Sequence, residues 1–348
     1  MTPPEVLVSR QGVAGILSLN RPKAIHALTA TMVEAMTAAL LDWRDDPAIE
    51  VVLIDHAEGR GFCAGGDIAL LRHSALEDGG TSGKQFFFLE YRLNHLLFTY
   101  PKPVIAFMDG ITMGGGVGIS QPARFRVATP NTRLAMPETG IGLFPDVGGG
   151  WYLSRLGGRL GEYFALTGAR LDGAECLWAG LATHFLSTDA LPAAKQRLAN
   201  GESPEAVLGD LAAPPPESKI AMHRDEIDRF FSSDGYEDIL AALHADGGDF
   251  AQSTLRALAA KSPQTCKVAL HELAESRKLN DFAEEMRMEY RIAARVLVRP
   301  DFAEGVRALI IEKDNAPRWT PPTPEGVTDA LVSAIFAPLP ADQEWTPL

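Results

Sequence analysis

The chain has 348 residues, 46% hydrophobic and 22% charged, which fits a soluble globular protein with a full core and excludes disordered, collagenous and coiled-coil chains. That length suggests one large core of roughly 200 residues with a smaller appendage, or two domains. Lys plus Arg number 32 against 45 Asp plus Glu, a formal net charge of −13, so repulsion excludes nucleic acid and anionic membrane surfaces as main partners.

The N-terminal stretch carries neither the basic and apolar pattern of a secretory signal nor the Arg-rich pattern of a transit peptide. The cysteines are Cys63, Cys176 and Cys266, an odd number without CxxC spacing, so a reduced, cytoplasmic protein without a disulfide framework is expected. Short runs rich in β-branched and aromatic residues at 6–9, 15–19, 51–55, 104–108 and 125–128 predict strands. Between them, Met32, Met36, Leu40 and Trp43 share one helical face, with Thr29 or Thr31 as N-cap. Phe87, Tyr91, His95 and Phe98 share another. Strand–helix alternation predicts parallel crossovers. No apolar run approaches the ~20 residues of a membrane span. The prolines at 214–216 break helix and mark a candidate hinge, and helices are predicted over 219–231, 236–244, 250–261 and 281–298 with no strand between them. The expected fold class is therefore α/β, with a core over residues 1–200 and a helical C-terminal region over residues 201–348.

Unusual sequence is densest between residues 61 and 150. Gly61-Phe62-Cys63-Ala64-Gly65-Gly66-Asp67-Ile68 follows a strand and a polar loop. Small residues ending in an Asp able to cap a helix leave backbone N–H groups open to a ligand. After the next strand, Gly114-Gly115-Gly116-Val117-Gly118 places four glycines in five residues where a helix should begin. Tight turns explain either loop alone. As a pair, at similar places in successive strand–loop–helix units, each could aim one N–H at a developing oxyanion. Neither loop fits the dinucleotide or P-loop fingerprints. Farther on, Glu138 and Asp146 sit among apolar and glycine neighbours. Desolvation raises a carboxylate's pKa toward the range where it exchanges protons at neutrality, and simple capping of a turn or helix is the competing explanation.

These residues resemble the crotonase (enoyl-CoA hydratase/isomerase) superfamily, and most closely the 3-hydroxyisobutyryl-CoA hydrolase family within it. Residues 62–68, 111–118, 135–139, 141–150 and 165–168 carry the likeness, as do Asp301-Phe302 and Glu304-Gly305-Val306-Arg307-Ala308, so it spans nearly the whole chain. The resemblance implies a crotonase-like spiral of ββα turns and hydrolysis of a small β-hydroxyacyl-CoA, (S)-3-hydroxyisobutyryl-CoA of valine breakdown. It implies an acyl-CoA partner, no metal, and no cofactor, CoA being part of the substrate. The oxyanion donors would be the N–H groups of Gly66 and Gly115, with Glu138 the main catalytic carboxylate and Asp146 its partner. Glu90 falls where the family has a further substrate contact, although a helical Glu is otherwise usually solvated. Adenine would lie along the backbone of Cys63, Ala64 and Gly65, and Lys23 is a candidate for a CoA phosphate. Trimers or pairs of trimers are common in the superfamily, which leaves room for a homo-oligomer unless the helical C-terminus covers that surface.

Two departures from the wider superfamily stand out. Its hydratases carry a second catalytic Glu three residues after the oxyanion glycine, where this chain has Gly118, and Asp146 stands where they generally have Gly. His26 replaces a common Asn and bears on turn structure rather than chemistry. The other seven histidines show no metal-ligand spacing, and no GxSxG elbow is present. A hydratase or isomerase of the same fold and a non-catalytic acyl-CoA binder stay as alternatives, although a pure binder gains nothing from desolvating two carboxylates.

Overall fold

In the computed structural model, which describes residues 3–348, successive turns of chain leave one strand on each of two sheets before a helix returns the chain. The strands are β1 (Val6–Gln11), β2 (Ala14–Leu19), β3 (Val51–His56), β4 (Gly61–Cys63), β5 (Val104–Met108), β6 (Ile111–Met113), β7 (Phe125–Ala128), β8 (Arg133–Ala135), β9 (Leu171–Asp172) and β10 (His184–Phe185). The larger sheet runs β1-β2-β3-β5-β7-β10 and the smaller β4-β6-β8-β9. From β2 onward every pair in the larger sheet is parallel, and Ile16, Leu53, Ile105 and Phe125 share one register row. Because side chains alternate across a strand, Leu53, Ile105 and Val127 pack on one face while Val52, Ile54 and Ala106 pack on the other.

The helices of this part are α1 (Ala30–Arg44), α2 (Ile68–Glu77), α3 (Thr81–Phe98), α4 (Gly115–Ser120), α5 (Gly149–Ser154), α6 (Leu160–Thr167), α7 (Gly173–Ala179) and α8 (Leu191–Ala199). Helix α1 is capped by the Thr29 hydroxyl, which accepts from Met32 N–H, and buries Met32, Met36, Leu40 and Trp43. Helix α3 buries Phe87 and Tyr91 as its stripe predicts, but Phe98 is 37% exposed and the polar Glu90 and Asn94 are buried instead. The five predicted strands all form. The three-residue strands β4, β6 and β8 lie inside segments that read as loops, too short and too glycine-rich to show a period of two.

Among the described residues, no strand follows β10. The rest is α9 (Pro204–Asp210), α10 (Arg224–Phe230), α11 (Tyr236–Asp246), α12 (Asp249–Ala259), α13 (Pro263–Ser276), α14 (Phe282–Val296), α15 (Pro300–Val306) and α16 (Asp329–Phe336). The connector with the three prolines is largely exposed and tied back to β10, Ala213 N–H donating to the Phe185 carbonyl at 2.8 Å. One apolar cluster joins Leu93 and Val117 of the sheet-bearing part to Leu273, Met286 and Phe302 beyond it. No helix of the described residues is long and apolar enough to cross a membrane.

Candidate active site

Three tight turns meet at one cavity of about 190 Å³. The loop after β4 lies against residues 25–28: Ala64 N–H donates to Ile25 (2.9 Å), Leu28 N–H to Gly65 (2.7 Å) and Asp67 N–H to Leu28 (2.9 Å). Asp67 then caps α2. These bonds leave the N–H of Gly66 without an acceptor among the described residues. After β6 the chain turns at Gly114, φ +47°, into α4, and the N–H of Gly115 in the first helical turn is free in the same way. Glycine enforces the approach of the two loops. A Cβ on Gly115 would lie 3.3 Å from the Gly65 carbonyl carbon, the atom bonded to Gly66 N, and 2.5 Å from Glu90 Oε1.

Three carboxyl groups line this cavity with the two glycines, each from a different element. Glu90 comes from α3, Glu138 opens the short 3-10 turn Glu138–Ile141 after β8, and Asp146 precedes α5. Their exposures are 2%, 4% and 3%. Burial pushes Glu90 and Glu138 well above the ordinary carboxylate range, and the charge of Asp146 adds to it. Asp146 is raised by burial to about 7, opposed by the Tyr91 hydroxyl that donates to it at 2.8 Å. Glu90 Oε1 and Glu138 Oε2 have no partner among the described residues, which leaves buried polar atoms for a ligand to satisfy.

The turn bearing Asp146 is strained. Val147 has φ +57°, a left-handed conformation that costs a β-branched residue about 1–3 kcal/mol. Two bonds to Glu289 of α14 hold it: Gly148 N–H donates at 2.8 Å and Gly150 N–H at 3.3 Å. Glu272 and Glu285 complete a second acidic group whose oxygens lie within 4.8 Å of one another. Burial raises all three, Glu285 to about 7. Gly118 is sealed, because a Cβ there would meet Val147 Cβ at 2.6 Å and Asn94 Nδ2 at 2.8 Å. Asn94 donates to the Gly118 carbonyl at 3.0 Å. Helix α15 presses on the Glu138 turn, where a Cβ on Gly305 would sit 2.5 Å from Ile141 C. Asp301, at the start of α15, accepts from Ser262 Oγ (2.5 Å) and Thr320 N–H (2.6 Å).

Of the residues singled out from sequence, Gly66, Gly115, Glu90, Glu138, Asp146, Ala64 and Gly65 line the cavity. Cys63 does not: its side chain is fully buried, its thiol donates to the His26 carbonyl at 3.2 Å, and burial pushes it up to about 12, so it stays a thiol. Lys23 is exposed on the short turn Pro22–Ala24, outside the cavity wall and two residues from the Ile25 that holds Ala64. The ring of His26 is spent on backbone, Nδ1 accepting from Arg21 N–H of its own turn at 2.9 Å and Nε2 facing the Glu58 carbonyl of the loop before β4 at 2.8 Å. Sequence reasoning missed Tyr91, Asn94, Val147, Glu289 and Ile310. Asn94 had a readable signal, a polar residue four after Glu90 and so on the same helical face. Glu289 had none, since its partners lie 141 and 139 residues away.

The family profile described as enoyl-CoA hydratase/isomerase matches residues 14–336. The mitochondrial 3-hydroxyisobutyryl-CoA hydrolase of Xenopus tropicalis is 42% identical over 96% of this chain and 89% of its own length. Among solved structures, one described as a carnitinyl-CoA dehydratase from Mycobacterium thermoresistibile is 41% identical with a TM-score of 0.94 over 99% of both chains. Another, described as an enoyl-CoA hydratase from Rhodobacter sphaeroides 2.4.1, is 38% identical with a TM-score of 0.91, covering 98% of this chain and 99% of its own. The mitochondrial naming of the vertebrate relatives overturns the expected cytoplasmic location. The cysteines behind that expectation are free and buried, a state that suits any reducing compartment equally.

Proposed function

This chain belongs to the enoyl-CoA hydratase/isomerase family, and from that premise we propose that it hydrolyses the thioester of a small β-hydroxyacyl-CoA, 3-hydroxyisobutyryl-CoA foremost, to free acid and CoA in valine breakdown. One observation carries this reading. Glu138 and Asp146 share a cavity with two unpaired backbone amides, while the position of the hydratases' second Glu is filled by Val147 and Asn94 around Gly118. Water addition to a double bond needs that second carboxylate. Thioester cleavage needs one nucleophile or base and a place for the oxyanion. The cavity, about 190 Å³, is smaller than the usual ~300–1,000 Å³ of drug-sized ligand sites and suits a four-carbon acyl group.

In this mechanism the N–H groups of Gly66 and Gly115 hold the carbonyl oxygen as it becomes tetrahedral. The Glu138 carboxylate either attacks the carbonyl, breaking the C–S bond to release CoA thiolate and leave an acyl–enzyme anhydride that water then hydrolyses, or deprotonates a water that attacks the carbonyl and displaces the CoA thiolate directly. In both routes the thiolate leaves as CoA thiol after taking up a proton. Asp146 orients the substrate hydroxyl or carries a proton, its own state set by burial and the Tyr91 bond. Glu90, which lines the cavity close to Gly115, gives the substrate a further contact there. CoA runs out past Ala64 and Gly65 toward Lys23.

Single-turnover hydrolysis in oxygen-18 water separates the two routes, since label in the Glu138 carboxylate requires the anhydride. Hydrolysis of the thioester by Glu138→Ala at the wild-type rate would refute the assignment. The hydratase reading draws on the descriptions of the two solved neighbours. Ultraviolet assay of crotonyl-CoA tests it: appreciable hydration would mean that Gly118 is no barrier to that chemistry.

A further inference from the structure

Helix α14 belongs to the helical C-terminal part, yet its Glu289 is fully buried directly beneath the turn that carries Asp146. Three N–H groups follow Asp146 and Val147, and each has one acceptor. Gly149 donates to the Asp146 carbonyl at 2.8 Å, and Gly148 and Gly150 both donate to the Glu289 carboxylate. A bidentate acceptor of this kind fixes the direction of a turn as well as its place. It is needed here, because Val147 at φ +57° would relax toward negative φ if the two amides were released, swinging Asp146 away from Tyr91 and Glu138. The neighbouring acids assist. Glu285 takes a hydrogen bond from the Ser276 hydroxyl at 2.7 Å, and neither oxygen of Glu272 has a partner among the described residues. Glu289 therefore has the most donors of the three, one on each carboxylate oxygen.

We infer that Glu289 is a positioning residue for thioester hydrolysis, acting through the amides of Gly148 and Gly150 to hold Asp146 beside Glu138. The inference rests on the role read above for Asp146, so its test must separate the two.

The test is a double-mutant cycle of Glu289→Gln and Asp146→Asn, with CoA thiol release from 3-hydroxyisobutyryl-CoA measured as kcat and KM. Glutamine keeps one acceptor oxygen but turns an NH2 toward the second amide, so the turn is held at one point only. A misplacement of this kind costs on the order of 10–100-fold in rate. The expected result is that loss in kcat, a KM within about threefold of wild type, and a double variant no slower than Asp146→Asn alone. Glu289→Gln at the wild-type rate would overturn the inference. So would a double variant slowed by the full product of the single effects, because that is the mark of a general packing role. If Asp146→Asn alone hydrolyses at the wild-type rate, the reading of Asp146 fails rather than the clamp. Should Glu289→Gln not fold, Glu289→Asp enters the same cycle: its carboxyl is kept but its shorter arm reaches one amide, and a smaller loss with the same non-additivity is expected.

Discussion

Two groups of three buried carboxyls meet at residues 146–150. Glu90, Glu138 and Asp146 lie at one side of this turn, and Glu272, Glu285 and Glu289 lie against it from the C-terminal helices, with Glu289 bonding it. Burial is almost the same in both, and in both it drives the acids above their ordinary range. They differ in what they face. The first group opens on a cavity with two unpaired amides, so a carbonyl could reach both an anion-stabilising pocket and a carboxylate. The second lies outside that cavity: Glu289 accepts from two backbone N–H groups and Glu285 from a serine, while Glu272 has no partner among the described residues. A perturbed pKa thus marks burial, and only access to reacting atoms turns it into chemistry.

Substitutions can break this contrast. The largest loss is expected for Glu138→Ala, roughly 10³-fold or more in kcat with retained folding, from steady-state thiol release and thermal melting. Gly115→Ala comes next. Its methyl would press on Glu90 Oε1 at 2.5 Å and shift the amide from the oxyanion, costing on the order of 10²–10³-fold in kcat. Tyr91→Phe should lose about three- to tenfold and move the acidic limb of kcat/KM to higher pH. The sign follows from the Tyr91 bond, which favours ionised Asp146, so removing it raises a group already at about 7. A limb that stays put or moves down would uncouple Asp146 from turnover.

Glu272→Met sharpens the contrast from the other side. Glu272 has no hydrogen-bond partner among the described residues and lies outside the cavity, so kcat should stay within about threefold of wild type. Stability near neutral pH should rise by about 1 kcal/mol. Its folded pKa lies above the unfolded value, so the folded state holds the proton more tightly, and stability falls as pH rises upward from the ordinary carboxylate range. The variant should lose part of that fall in urea titrations across pH. A large drop in kcat would mean that both acidic groups take part in catalysis.

The legible part of the site was the part built from local sequence. The glycines at 65–66 and 114–116 announce close backbone approach because only they tolerate it, and Glu138 and Asp146 stand out as charges in apolar surroundings. Glu90 was harder to read, because a helical Glu is ordinarily solvated and only the packing of α3 shows it buried against Gly115. Cys63 was read for its backbone beside adenine and Lys23 for a CoA phosphate, both outside the acyl cavity; Lys23 lies on an exposed turn, and the Cys63 thiol is turned to a backbone carbonyl.

By itself the sequence determined the alternation of strand and helix, the faces that must be buried, and the two loops whose amides cannot be covered, because each of these follows from residues within one or two turns of one another. The tertiary structure alone decided that Gly118 has no free space, that Tyr91 orients Asp146, and that α14 and α15 brace the two acidic turns. Those contacts join residues up to 160 or so positions apart in a desolvated interior, where distance along the chain carries no information and only the closed packing of the fold sets which oxygen meets which N–H.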